Sequence, residues 1–205
     1  MPTILYQNPP LVYLRSKKTG SHSVKHCMRQ YAEENSISFL EVRSKDTDTL
    51  DDHKFISHMP AKVLQERLDV WDTSKKFTFV RNPWKCLKSY YYFNKYTGPK
   101  YNWNNLNNYS LDNIEDFTKS LIDIKGTCNF NREIYTIDDQ VICDVYDVKD
   151  INKIMKKFFN INAPKIFVQN YEKEDIIISE KIDNFIYRDY SWEIDEFGYT
   201  KPAVD

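Results

Sequence analysis

The stretch from Leu11 to Val24, LVYLRSKKTGSHSV, limits what this chain can fold into more than any other. An apolar run of strand formers, Leu11 to Leu14, breaks at small and polar residues. A helical pattern then sets in with Val24, Met28, Tyr31 and Ala32 on one face. The order is strand, loop, helix. Gly20 permits a tight backbone, Ser21 or Ser23 can cap the helix, and the N–H groups of its first turn then point out of the loop beside Lys17 and Lys18. Such a loop suits an anion, a phosphate or sulfate above all. The same residues also fit an ordinary strand-to-helix turn with two solvated lysines. The spacing G-x-x-x-x-G-K-[ST] is absent because Lys18 precedes Gly20, and G-x-G-x-x-G is absent too, so a standard ATP site is disfavoured.

A second stretch, KFTFVRNPWKCLKSYYYF from Lys76 to Phe93, repeats the strand-to-helix order. Phe77 to Val80 reads as a buried strand, Asn82 as a helix cap, and Pro83 as the first helical residue, where its missing N–H costs nothing. Arg81 therefore falls at the carboxyl end of a strand. Ser89 comes about two turns into the helix on the face of Lys85, while Trp84, Leu87 and Tyr91 form the apolar stripe. Arg81 as a two-pronged donor and Ser89 as a third can grip a second phosphate. The alternative is that Arg81 caps a carbonyl and Ser89 packs.

Lys18 to Ser23, KTGSHS, resembles the 5′-phosphosulfate loop of the sulfotransferases. FVRNP from Phe79 to Pro83, with Ser89 at the matching distance, resembles their 3′-phosphate motif. The tyrosines after Ser89 resemble the carbohydrate branch of heparan and chondroitin type, and IYRD from Ile186 followed by FGY from Phe197 is similar to the family's close. Two residues depart from the family pattern: Lys17 stands where it has proline, and His22 where it has a hydroxyl. Backbone donors survive both changes. The resemblance implies a P-loop-like sulfotransferase fold and an enzyme that uses 3′-phosphoadenosine 5′-phosphosulfate (PAPS). It would sulfate a hydroxyl, on a carbohydrate acceptor, and release adenosine 3′,5′-bisphosphate. The implied cofactor contacts are Lys17, Lys18, Thr19, Gly20, Ser21, His22, Ser23, Arg81 and Ser89, with catalytic roles for Lys18 and His58. Two other functions stay open: a noncatalytic nucleotide-binding protein of the same fold, and a P-loop-like kinase dependent on ATP and magnesium.

With 205 residues, 41% hydrophobic and 15% aromatic, the chain suffices for one domain over 1–205, with its core at about 11–199. A formal net charge of -1 argues against a general nucleic-acid binder and makes any anion site local. Met1 to Pro10 lacks the basic flank and apolar core of a signal peptide, and no later run approaches a membrane span, so a soluble, cytoplasmic protein is expected. Cys27, Cys86, Cys128 and Cys143 show no C-x-x-C spacing and read as mostly buried thiols. His22 and His26 beside Cys27 invite a zinc reading, which fails for want of further ligands at suitable spacing; no metal is expected.

Elsewhere, Ser38 to Val42 reads as a strand, and Lys54 to His58 as a short strand before a helix opened by Pro60. In an open α/β sheet ligands gather beyond the carboxyl ends of strands, so Lys18, His58 and Arg81 would share one rim. His58, with an ordinary pKa of about 6.5, is then either the base for the acceptor hydroxyl or a ring satisfying a strand-end carbonyl. Residues 98–110 read as a loop insertion, either an acceptor lip of Tyr101, Trp103 and Tyr109 or a low-complexity segment pinned by aromatics. Ser110 is placed as the cap of a helix with Ile114, Phe117, Leu121 and Ile124 inward. Strands are expected over Gln140 to Tyr146 and Lys165 to Val168, and helices over Asp150 to Phe159 and around Ile182. Asn170 and Lys173 fall on a late loop, with a frayed tail at 200–205. The alternation predicts an α/β fold with a mostly parallel central sheet flanked by helices.

Overall fold

The computed structural model describes residues 2–41, 58–97, 109–166 and 177–203. Its first elements are β1 (Thr3–Leu5), β2 (Leu11–Tyr13), α1 (Ser21–Asn35), β3 (Phe39–Glu41), α2 (Ala61–Arg67) and β4 (Lys75–Val80). There follow α3 (Pro83–Tyr92), which continues into a π-helical turn (Phe93–Thr97), α4 (Ile114–Lys125) and α5 (Arg132–Tyr135). The remainder comprises β5 (Thr136–Ile137), β6 (Gln140–Val141), β7 (Asp144–Asp147), a 3-10 turn (Val148–Asp150), α6 (Ile151–Phe159), α7 (Glu180–Asp189) and α8 (Ser191–Phe197). Two compact units result, Met1–Val80 with Asn131–Val168 and Arg81–Phe130 with Gln169–Asp205.

The first unit holds a five-stranded sheet in the order β3-β1-β2-β4-β7. β4 runs parallel to both β2 and β7, whereas β1 runs antiparallel to both β2 and β3. The sheet is therefore mixed, not mostly parallel. Thr3–Leu5 supplies a strand that the sequence reading passed over, and the short link from Leu5 to Leu11 is too brief for a crossover, which forces a hairpin. Side chains alternate between the two faces as strand geometry requires. Leu5, Leu11, Tyr13, Phe77 and Phe79 pack with Val24, Cys27 and Met28 of α1 and with Ile154, Met155 and Phe159 of α6. Ile4, Val12 and Leu14 pack with Ala61 and Leu64 of α2, Trp71 and Ile134. Both faces are covered, the condition under which the parallel pairs β2–β4 and β4–β7 are stable.

The strand expected over Gln140 to Tyr146 divides. Asp138 and Asp139 both take positive φ, 48° and 62°, and turn the chain so that β6 pairs with β5; only Asp144–Asp147 enters the large sheet. Lys165 and Ile166 form no strand, and the rest of that expected element lies outside the described residues.

In the second unit, Asn82 caps α3 by accepting the Lys85 amide at 3.3 Å, with Pro83 in the first turn. Trp84, Leu87, Tyr90 and Tyr91 pack with Ile114, Phe117 and Leu121 of α4 and with Ile182 and Ile186 of α7. Asn113, not Ser110, caps α4, accepting the Asp116 amide at 2.9 Å. Ile124 is 51% exposed and does not join that core. Cys27, Cys86 and Cys128 are buried, and the four cysteines form no disulfide. Among the described residues, no helix is long and apolar enough to cross a membrane.

The two aspartates at the β5–β6 turn hold left-handed backbone without glycine, and their partners, Lys62 and Arg132, are 3.7 Å away at exposed positions where ion pairs contribute little. Asp139→Gly should therefore stabilise the protein by about 0.5–1 kcal/mol. Chemical denaturation checks this.

Candidate functional site

The loop after β2 leaves the sheet beside the carboxyl end of β4, and its backbone is held there bond by bond. The Leu14 amide donates to the Phe77 carbonyl at 2.9 Å, continuing the β2–β4 ladder by one residue. Thr78, fully buried, donates its hydroxyl to the Leu14 carbonyl at 2.7 Å and shares a hydrogen bond with Ser16 Oγ at 2.9 Å. His58 Nδ1 lies 2.8 Å from the Arg15 carbonyl, Thr19 Oγ1 donates to the Ser16 carbonyl at 3.0 Å, and Asn131 Nδ2 donates to the Lys17 carbonyl at 3.0 Å. Four consecutive carbonyls, Leu14 to Lys17, thus face protein donors. The Gly20 carbonyl accepts from the amides of Ser23 (2.9 Å) and Val24 (3.3 Å).

The amides that follow are oriented differently. Lys18 (φ 63°) and Gly20 (φ 77°) are left-handed, and Gly20 opens α1 with no side-chain cap. Among the described residues, the amides of Thr19, Gly20 and Ser21 donate to no protein acceptor. They sit at the positive end of a 15-residue helix. Glycine is favoured at position 20 for a second reason, because an added Cβ would approach Ile151 Cδ1 to 3.0 Å, and that side chain would have to give way.

The expectation that Ser21 or Ser23 caps α1 is corrected. Ser21 Oγ accepts from Arg15 Nε at 3.2 Å, and Ser23 Oγ donates to the Pro164 carbonyl at 2.5 Å. Both hydroxyls are thus engaged away from the helix end, by Arg15 and by Pro164.

Burial and neighbouring cations together set the electrostatics. His22 is pushed down to about 4 by partial burial first and then by Arg15 and Lys25, with Glu41 opposing and Lys18 adding to the effect. His58 is held well below the ordinary imidazole value by burial first, then by Arg15 and Lys17, against the opposing bond to the Arg15 carbonyl. Since a carbonyl only accepts, Nδ1 of His58 carries the proton and Nε2 the lone pair. Burial also lowers Arg15. Glu41 is the principal opposing charge and is already ion-paired with Lys25 and Arg29.

Lys17, Lys18, Thr19, Gly20, Ser21, His22, Ser23 and His58 thus lie in the first unit. Arg81 and Ser89 belong to the second, where Arg81 directly follows β4 in the chain and Ser89 sits on α3, both half-buried. The ring of His58 meets a backbone carbonyl, one of the two roles open to it from sequence. Tyr101, Trp103, Asn170, Lys173 and the strand expected before His58 lie outside the described residues. Sequence reading missed Arg15, Thr78 and Asn131. Arg15 had a usable signal as the first charged residue after the strand; Asn131, lying 114 residues from Lys17, had none.

Thr78→Val keeps the side-chain shape and deletes the hydroxyl, stranding a buried carbonyl and the Ser16 hydroxyl. A loss of about 1–3 kcal/mol is expected by denaturant unfolding. Comparison of the chain with family models, curated proteins and solved structures returned no match.

Proposed function

We propose that this chain is a sulfotransferase, moving a sulfuryl group from 3′-phosphoadenosine 5′-phosphosulfate to a hydroxyl, with a carbohydrate as the acceptor class. One observation carries the reading: among the described residues, three consecutive amides, Thr19 to Ser21, lack a protein acceptor on a loop whose preceding carbonyls are turned onto protein donors. A cation would need those carbonyls. An oxyanion needs the amides, and the glycine at position 20 leaves the backbone bare for a phosphate or sulfate group to approach. The choice of a phosphosulfate among such anions rests on KTGSHS and on FVRNP with Ser89.

When bound, the phosphosulfate supplies an activated sulfuryl group. The chain's own residues do the rest. The Thr19, Gly20 and Ser21 amides hold the 5′-phosphate, and the Lys18 ammonium offsets charge that grows on the leaving oxygen. Arg81 and Ser89, on the resemblance, hold the 3′-phosphate and so fix the register. His58, its Nδ1 proton committed to the Arg15 carbonyl, keeps Nε2 as a basic nitrogen, and its lowered pKa keeps it neutral at pH 7, able to accept the acceptor's proton.

Thermal unfolding with adenosine 3′,5′-bisphosphate, with ATP and magnesium, and with neither tests the reading. Ligand at about a hundred times its dissociation constant adds about 2.7 kcal/mol, which raises the midpoint by about 5–10 °C in a domain of this size. A rise with the bisphosphate is expected. A rise with ATP and magnesium alone favours a kinase, and no rise with either ends the reading. Binding without transfer from the phosphosulfate to any hydroxyl acceptor favours the noncatalytic alternative. Arg81→Ala should weaken the bisphosphate, and Lys18→Ala should mainly slow transfer.

The imidazole of His22 gives an independent check. An anion on the neighbouring amides adds negative charge, which favours the imidazolium, so the His22 pKa should climb from about 4 when the bisphosphate binds. Ring resonances followed by NMR against pH measure it; an unmoved value places the anion elsewhere.

A further inference from the structure

We infer that Asn131 is the positioning residue that sets this loop for anion binding, an assignment that rests on the proposed function. Its carboxamide takes both backbone groups of one residue: the Lys17 amide donates to Oδ1 at 2.7 Å, and Nδ2 donates to the Lys17 carbonyl at 3.0 Å. Asn131 is 5% exposed, so its carboxamide is largely shielded from bulk water. Lys17 immediately precedes the left-handed Lys18 and lies two residues before the first of the three amides. Fixing both ends of Lys17 therefore fixes the direction in which Thr19, Gly20 and Ser21 present their N–H groups. The other tethers of the loop, from Thr78, His58 and Thr19, each take a single carbonyl; Asn131 alone among these holds an amide and a carbonyl together.

The chemistry of position 131 is restrictive. Only a carboxamide offers a donor and an acceptor side by side in one plane at this reach. Aspartate keeps the acceptor for the Lys17 amide but turns a carboxylate oxygen toward the Lys17 carbonyl and brings negative charge to the anion loop. Alanine removes both bonds. The two substitutions thus separate the clamp on the amide from the geometry that serves a ligand.

The test compares the wild-type chain with Asn131→Ala and Asn131→Asp by site-resolved amide hydrogen exchange and by titration with adenosine 3′,5′-bisphosphate. In Asn131→Ala the Lys17 amide should exchange faster while the β4 amides of Phe79 and Val80 keep their protection. Affinity for the bisphosphate should fall about ten- to thirtyfold, the worth of two hydrogen bonds. Ligand-induced shifts of the Thr19 and Gly20 amides should shrink with it. Asn131→Asp should protect the Lys17 amide yet bind at least as weakly as alanine, and it serves where the alanine variant fails to fold. Wild-type affinity in either folded variant overturns the positioning role alone, as does a Lys17 amide indifferent to Asn131→Ala. A wild-type chain that binds no bisphosphate overturns the proposed function and this role together.

Discussion

The buried hydroxyl of Thr78 stands between two things that must be reconciled where β2 ends. After Tyr13 the chain has to leave the sheet, yet Leu14 and Ser16 remain fully buried, and a buried carbonyl without a partner costs more than a hydrogen bond gains. Thr78, one strand over, satisfies the Leu14 carbonyl and engages the Ser16 hydroxyl from the same oxygen. Once these residues are fixed, His58 and Thr19 complete the neighbouring carbonyls. Among the described residues, the amides of Thr19, Gly20 and Ser21 are left without a protein acceptor. Preorganisation of this kind leaves little reorganisation for a ligand to impose, which is why rigid backbone donors serve anions so well.

Local chemistry made part of this visible from sequence. The strand, loop and helix around Gly20 and the Asn82-Pro83 helix start were legible because their signals lie within a few residues: an apolar run, a cap, a proline whose missing N–H is harmless. The mixed character of the sheet was not, since Thr3–Leu5 is too short to show alternation and the Asp138-Asp139 turn lacks the glycine or asparagine that usually marks such hairpins. In the loop, Lys17, Lys18 and Gly20 could be picked out by type, but the hydroxyls of Ser21 and Ser23 could not be assigned, because their partners, Arg15 and Pro164, are chosen by tertiary packing.

The tyrosine run on α3 carries a related lesson. Tyr90, Tyr91 and Tyr92 are all buried, and Tyr90 packs its ring against Phe130 and Phe117 at centroid distances of 4.2 and 5.6 Å. Their part is to fill the core of the second unit with large, weakly polar rings. Ser89 and Arg81 share that unit but are only half-buried, so the polar residues of the motif stay at the margin of the aromatic packing.

The first unit is interrupted in sequence, its chain departing at Val80 and resuming at Asn131. The residue that resumes it is the one that grips Lys17, across a separation of 114 residues. During synthesis the lysines and Gly20 therefore emerge long before the carboxamide that orders them, and β7, which completes the pairing of β4, emerges later still. Contacts of such high order close slowly, because a long intervening segment must be gathered before they form. The loop after β2 in a nascent chain is accordingly an unset string of residues, and it acquires its geometry only once Asn131 and the strands of the first unit have come together.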